Sequence, residues 1–190
     1  MDAWVWILIA VVAIVVIALV AYVIAMQRRR AALKRDFGPE YERAVAERGD
    51  VREGESDLMA RRDRRSKLDI RPLRPDSRDA YRSSWEQMQA RFVDDPKGVL
   101  GQADGLIIAV MGERGYPMDD FEQRADDVSV DHPDVVEHYR AGHAVSARLS
   151  RGQDVSTEDL RQAFVHYRFL FQDLLETEPA DQDQDRRAAG

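Results

Sequence analysis

Four histidines, His132, His138, His143 and His166, are the side chains best suited to hold a metal or move a proton in this chain. Two imidazoles on one helix share a ligand at spacings of three or four, as in H-E-x-x-H. His138 and His143 are five apart, so at ~100° per residue they point about 140° away from each other. Glu137 and Asp131 are close in sequence, but a metal site would need His166 brought in from another helix. A catalytic reading gathers His132, His138, Tyr139 and His143 at one helical site. The structural alternative puts His132 at a helix start, and His143 and His166 on partly buried helix faces. Carboxylate pairs occur at Asp94/Asp95, Asp119/Asp120 and Asp126/Asp127. Each falls near an expected helix end, where capping accounts for an aspartate without catalysis. There is no G-x-S-x-G elbow and no glycine-rich phosphate loop. The chain has no cysteine, which excludes a thiol nucleophile, a Cys-ligated metal and a disulfide framework. No catalytic residue, metal ligand or cofactor is assigned, and the chain reads as non-enzymatic.

Arg61 to Arg74 is the other candidate, as a nucleic-acid contact. Asp63 and Asp69 interrupt it, no aromatic side chain interleaves it for base stacking, and the segment it leads into is acidic. A solvated charged face is the simpler reading, and no nucleic acid is expected as a partner.

The elements around these residues begin with a run of hydrocarbon. Ala3 to Met26 carries no charge, glycine or proline. As a helix it is about 36 Å long, enough for a hydrocarbon core of ~30 Å with some tilt. Trp4 and Trp6 stand at one end and Tyr22 at the other, where amphipathic rings favour the headgroup zone. The run is longer than the ~7–15 residues of a signal-peptide core. Past it lie Arg28, Arg29 and Arg30, then Lys34 and Arg35, whereas no basic side chain precedes it. The excess of cations on one flank predicts a single pass with residues 27 onward in the cytoplasm and a short outside N-terminus. Ala21 and Ala25 have the small-xxx-small spacing of a helix contact, so a homo-oligomer is an option.

We divide the chain into a membrane anchor (1–27), a charged juxtamembrane helical stalk (28–75), an all-α domain (76–176) and a disordered tail (177–190). In the stalk, Leu33, Phe37, Tyr41 and Val45 recur every four residues, with a break at Gly38-Pro39. From Asp50 large apolar residues thin out, which predicts a solvated helix held by local charge pairs. Ile70 to Pro75 has two prolines and should be extended. Thereafter the stripe Tyr81, Trp85, Met88, Phe92 marks a first helix. Asp95-Pro96 starts a second that Gly115 ends. Asp119 to Val128 is a third, Asp131-His132-Pro133 starts a fourth, and Ser156 starts the last. That last helix carries Leu160, Phe164, Tyr167, Phe171 and Leu174, with Val165 and Phe169 widening its apolar face. An all-round apolar helix is usually buried, but Val165 and Phe169 are also the candidate contacts for a protein partner. No period-2 alternation of useful length occurs, so the fold class is all-α, a small bundle of four or five helices behind one apolar helix.

Net charge is -7, unevenly placed. Residues 27–91 hold 18 Lys+Arg against 13 Asp+Glu, and residues 92–190 hold 10 against 21. A basic segment beside anionic headgroups and an acidic domain beyond it predict a domain held away from the bilayer.

Arg91-Phe92-Val93-Asp94-Asp95-Pro96, Gly115-Tyr116-Pro117, Phe121-Glu122-Gln123-Arg124-Ala125 and Ser129-Val130-Asp131-His132-Pro133 come in that order, followed by Tyr139-Arg140 and His166-Tyr167-Arg168. Together they resemble a family of bacterial single-pass proteins whose members carry only the labels "membrane" or "secreted". The resemblance covers most of residues 27–176. It implies an apolar N-terminal segment followed by a charged helical region, and it implies no activity and no catalytic residues. The flanking charges favour the membrane label over the secreted one. The expected function is a membrane-anchored interaction or scaffold protein whose partners are the lipid bilayer and another protein. The alternatives are an enzyme at the histidines and a lipid or envelope-stress accessory whose stalk reads the membrane surface.

Overall fold

The computed structural model describes residues 3–176 and, among these, consists of helices with no strand. The helices are α1 (Ala3–Phe37), α2 (Pro39–Arg48), α3 (Val51–Arg65), α4 (Pro75–Arg91), α5 (Pro96–Arg114), α6 (Phe121–Asp131), α7 (Val136–Ser150) and α8 (Thr157–Glu176). The expected disorder of 177–190 falls outside the described residues, as do the side chains of Ala3 and Trp6.

One uninterrupted helix, α1, carries the apolar run straight into the arginines and on to Phe37. It is long and apolar enough to cross a membrane. The break falls at Gly38-Pro39. Gly38 takes φ +47°, open to glycine at little cost, and Pro39 begins α2. The expected caps form at several other ends. Asp95 accepts from the Gly98 N–H at 2.9 Å, Asp120 from Gln123 at 2.9 Å and Ser156 from Asp159 at 3.0 Å. Gly115 closes α5 at φ +100°, and a Cβ there would lie 2.3 Å from the Asp69 carbonyl oxygen. Only glycine satisfies both the turn and the close approach.

The main core lies between α4, α5, α7 and α8. Trp85 is sandwiched between Phe164 and Phe171, with ring centroids 4.8 and 4.6 Å away. Leu160, Tyr167, Leu170 and Leu174 of α8 are buried against Leu100, Ile107, Val110 and Tyr139. A second, smaller core holds Leu33, Phe37, Tyr41, Ala44 and Leu58, where the end of α1 meets the α2–α3 hairpin.

Two expectations need correction. Residues 131–133 do not start a helix. Asp131 ends α6, His132 is its C-cap at φ −130°, ψ 52°, and α7 begins only at Val136. The residue before a proline avoids the α region, so Pro133 stops one helix rather than opening the next. Nor is the juxtamembrane segment a solvated stalk. Leu58, Arg61 and Arg65 of α3 are buried, and α3 packs along α6. The reason is electrostatic: α3 turns arginines towards carboxylates of α6.

Candidate functional site

Gly54, Leu58, Arg61 and Arg65 follow one another at spacings of 4, 3 and 4, so they form one face of α3. The end of this face that would normally be apolar holds two arginines. Arg61 is 3% exposed and donates to Glu40 Oε1 at 2.8 Å and, through Nε, to Asp57 Oδ2 at 2.7 Å. It also lies 2.7 Å from Asp126 Oδ1 on α6. Glu40, 2% exposed at the start of α2, takes a two-pronged pair from α7, with Arg140 Nη1 at 2.7 Å and Nη2 at 2.8 Å. Arg64 reaches Asp127 at 3.3 Å, and Arg65 donates to Asp131 at 2.6 Å beside the Tyr116 hydroxyl. Four helices thus meet at one charged seam. A buried charge is tolerated only when it is paired and hydrogen-bonded. Bidentate arginine–carboxylate geometry satisfies both partners at once.

The seam sets the protonation of its members. Burial pushes the Asp57 carboxyl up, but hydrogen bonds and charge from Arg48 and Arg61 outweigh it and hold the group below its usual range. At Asp126 and Asp127 burial dominates and raises the carboxyl, with Arg61 and Arg64 opposing. Asp126 and Asp127 were expected to cap a helix end. They stand within α6, and ion pairing with α3 accounts for them instead.

The histidines do not gather at one place. His132, 2% exposed, contacts Asp173 of α8 through Nδ1. His143 stacks on Phe121 with centroids 3.6 Å apart, and its Nδ1 is 3.7 Å from Asp104, too long for a hydrogen bond. Asp104 in turn accepts from the Tyr167 hydroxyl at 2.6 Å. His138 meets His166 at 2.9 Å between Nδ1 atoms, and burial with the neighbouring His138 lowers the His166 imidazole. Among the described residues no group of three His, Asp or Glu could hold a metal ion. Tyr139 turns to Arg124, whose Nε donates to its hydroxyl at 2.9 Å.

At the proposed partner face, Phe169 is 42% exposed and Val165 half-buried. Phe169 covers His138 at 4.7 Å, and the Arg168 guanidinium lies 5.8 Å from its ring. Trp4 and Tyr22 are exposed on α1, and Met26 is half-buried. Arg28 and Arg29 are exposed, whereas Arg30 donates to Glu55 at 2.6 Å.

Sequence reading missed Glu40 and Arg140 as site residues and placed Arg61 on a solvated charged face. A detectable signal existed in the 4, 3, 4 stripe of α3, whose arginines occupy positions that periodicity assigns to a core. No family model, curated protein or solved structure matches the chain.

Proposed function

We propose that this chain is a single-pass bacterial membrane protein that presents a helical interaction domain at the cytoplasmic face and has no catalysis of its own. The observation that carries the reading is the continuity of α1. An uncharged apolar run and the buried residues Leu33 and Phe37 belong to one helix, so the domain is fixed to its anchor rather than tethered by a loose linker. The cation excess at residues 28–35 supports the cytoplasmic orientation. The resemblance to a bacterial membrane-protein family, and the marked excess of arginine over lysine, support the source. The bilayer and another protein are the partners, and Phe169 with Val165 is the contact face, since an exposed aromatic flanked by His138 and Arg168 suits a protein surface. A photo-crosslinking amino acid at Phe169 in native membranes should give a discrete protein adduct that the same group at Val93 does not. Identical patterns at the two positions would remove the contact assignment.

A further inference from the structure

Nearly every cation between residues 28 and 67 has a carboxylate. Arg30 pairs with Glu55, Lys34 with Glu42, Arg35 and Arg62 with Asp36, Arg43 with Glu47 and Arg48 with Asp57. Arg61, Arg64 and Arg65 are held by the buried seam and Lys67 by Asp63. Among the described residues of that stretch, Arg28, Arg29 and Arg52 make no ion pair. All three stand at the end of the domain nearest the apolar run.

Two of the three, Arg29 and Arg52, line one groove from different helices. Tyr22, Ala25, Met26 and Arg29 form one face of α1 at spacings of 3, 1 and 3. Arg52, Glu55, Ser56 and Met59 repeat that spacing on α3. The two faces enclose a groove of about 550 Å³, open to the surroundings. Arg29 touches the Met59 sulfur across it. Its lining combines hydrocarbon and an aromatic ring, from Tyr22, Ala25 and Met26, with two exposed guanidinium groups and the Ser56 hydroxyl. The one acid in the lining, Glu55, is occupied by Arg30 at 2.6 Å and the Tyr41 hydroxyl at 2.8 Å. Asp50 is spent on capping α3 through the Arg52 and Glu53 N–H groups. Unpaired cations beside apolar side chains, where a spanning α1 would leave the hydrocarbon, complement one kind of molecule.

We propose that this groove seats an acidic phospholipid of the adjoining leaflet, its phosphate between Arg29 and Arg52 and its acyl chains along Tyr22, Ala25 and Met26. Arg28, next to Arg29 in sequence and exposed, adds a further cation to this end of the domain. The inference rests on the reading that α1 spans the bilayer, and it names the lipid class that the domain selects.

The chain has no cysteine, so Ala60→Cys, on the exposed side of α3, gives a single labelling point beside the groove. The labelled full-length protein is reconstituted in phosphatidylcholine vesicles. These contain a nitroxide quencher on the upper acyl chain of either phosphatidylglycerol or phosphatidylcholine, at equal mole fraction. Phosphatidylglycerol should quench with an apparent association constant about fivefold higher for each contributing arginine. Arg29→Gln/Arg52→Gln should bring the two lipids to parity. Arg29→Lys/Arg52→Lys, which keeps the charge, and Arg82→Gln/Arg91→Gln, far from the groove, should keep the preference. Parity in the parent protein that floats with its vesicles overturns the lipid site and leaves the membrane reading standing. A chain that does not float with them overturns both. A preference that persists in Arg29→Gln/Arg52→Gln, or that inorganic phosphate abolishes, also overturns it.

Discussion

Arg140 reaches Glu40 with both terminal nitrogens across a hundred residues of chain, and Arg61 meets the same carboxylate from a third helix. All three side chains are nearly excluded from water. Removing one member of such a set leaves the others charged and unsolvated, which costs about 3–5 kcal/mol. We expect Arg140→Met to destabilise the detergent-solubilised full chain by that amount in thermal unfolding. Glu40→Met/Arg140→Met should lose clearly less than the sum of the single variants, because the orphaned charge goes with its partner. Additive losses would mean that the pair is not coupled. Tyr41 offers a second test. Burial, then its hydrogen bond to Glu55, raises the hydroxyl to about 12. A tyrosine raised in the folded state contributes its stability in full below its ordinary value of about 10 and loses it as pH climbs towards about 12. Burial raises Tyr81, Tyr116, Tyr139 and Tyr167 too, so titration followed by tyrosinate absorbance should show a late-ionising set whose amplitude Tyr41→Phe lowers by one group. Tyr41→Phe should also make stability flatter with pH across that interval.

The α2–α3 hairpin depends on a close approach at Gly54. A Cβ there would sit 2.8 Å from the Val45 Cα and 2.9 Å from its amide nitrogen, and backbone cannot move aside as a flexible side chain would. Gly54→Ala should cost about 1–3 kcal/mol as overpacking. Its hydrogen-exchange signature should be local, with faster exchange in α2 and α3 and unchanged protection in α5 and α8. Uniform acceleration would show that the hairpin and the main core unfold as one unit. The main core has its own test in Trp85, held between Phe164 and Phe171. Trp85→Ala should lose about 3–5 kcal/mol. Element identities were largely legible because their signals are local: the 4, 3, 4 stripe of α4, Asp95-Pro96, Gly115, and the apolar circumference of α8. The start of α7 was not, because Asp131 resembles a cap and only tertiary context makes it the partner of Arg65 and Tyr116. The stripe of α3 marks a buried face, but its partners were hidden for a related reason. Hydropathy scores an arginine as solvent-exposed, and nothing in residues 51–65 reveals that Asp126, Asp127 and Asp131 will stand opposite. The histidine contacts were equally illegible, since each draws its partner from another helix.

At the scale of the molecule, the division of charge acquires a structural use. The basic juxtamembrane helices and the acidic domain are not kept apart. They are joined, α3 against α6, through Arg61, Arg64 and Arg65. Charge left over from that pairing is what remains to interact with surroundings, and in residues 28–67 it lies at Arg28, Arg29 and Arg52. The first two also belong to the cation cluster on which the proposed orientation rests, so that proposal and the proposed lipid site draw on the same residues. Arg30 is different, because its bond to Glu55 ties it to the fold. A charge reversal that includes Arg30 would confound misfolding with misorientation. Arg28→Glu/Arg29→Glu avoids this. Orientation follows the bias in lysine and arginine close to the ends of a span. The variant keeps Arg30, Lys34 and Arg35, so we expect a mixed population rather than full inversion. A reporter fused after Gly190 and active only in the cytoplasm should lose a measurable share of its signal. A second reporter active only outside should gain it. Adding Asp2→Lys should deepen the shift, because it supplies a competing cation on the other flank. Unchanged signals from both reporters in Asp2→Lys/Arg28→Glu/Arg29→Glu, at equal protein levels, would show that these charges do not set the orientation.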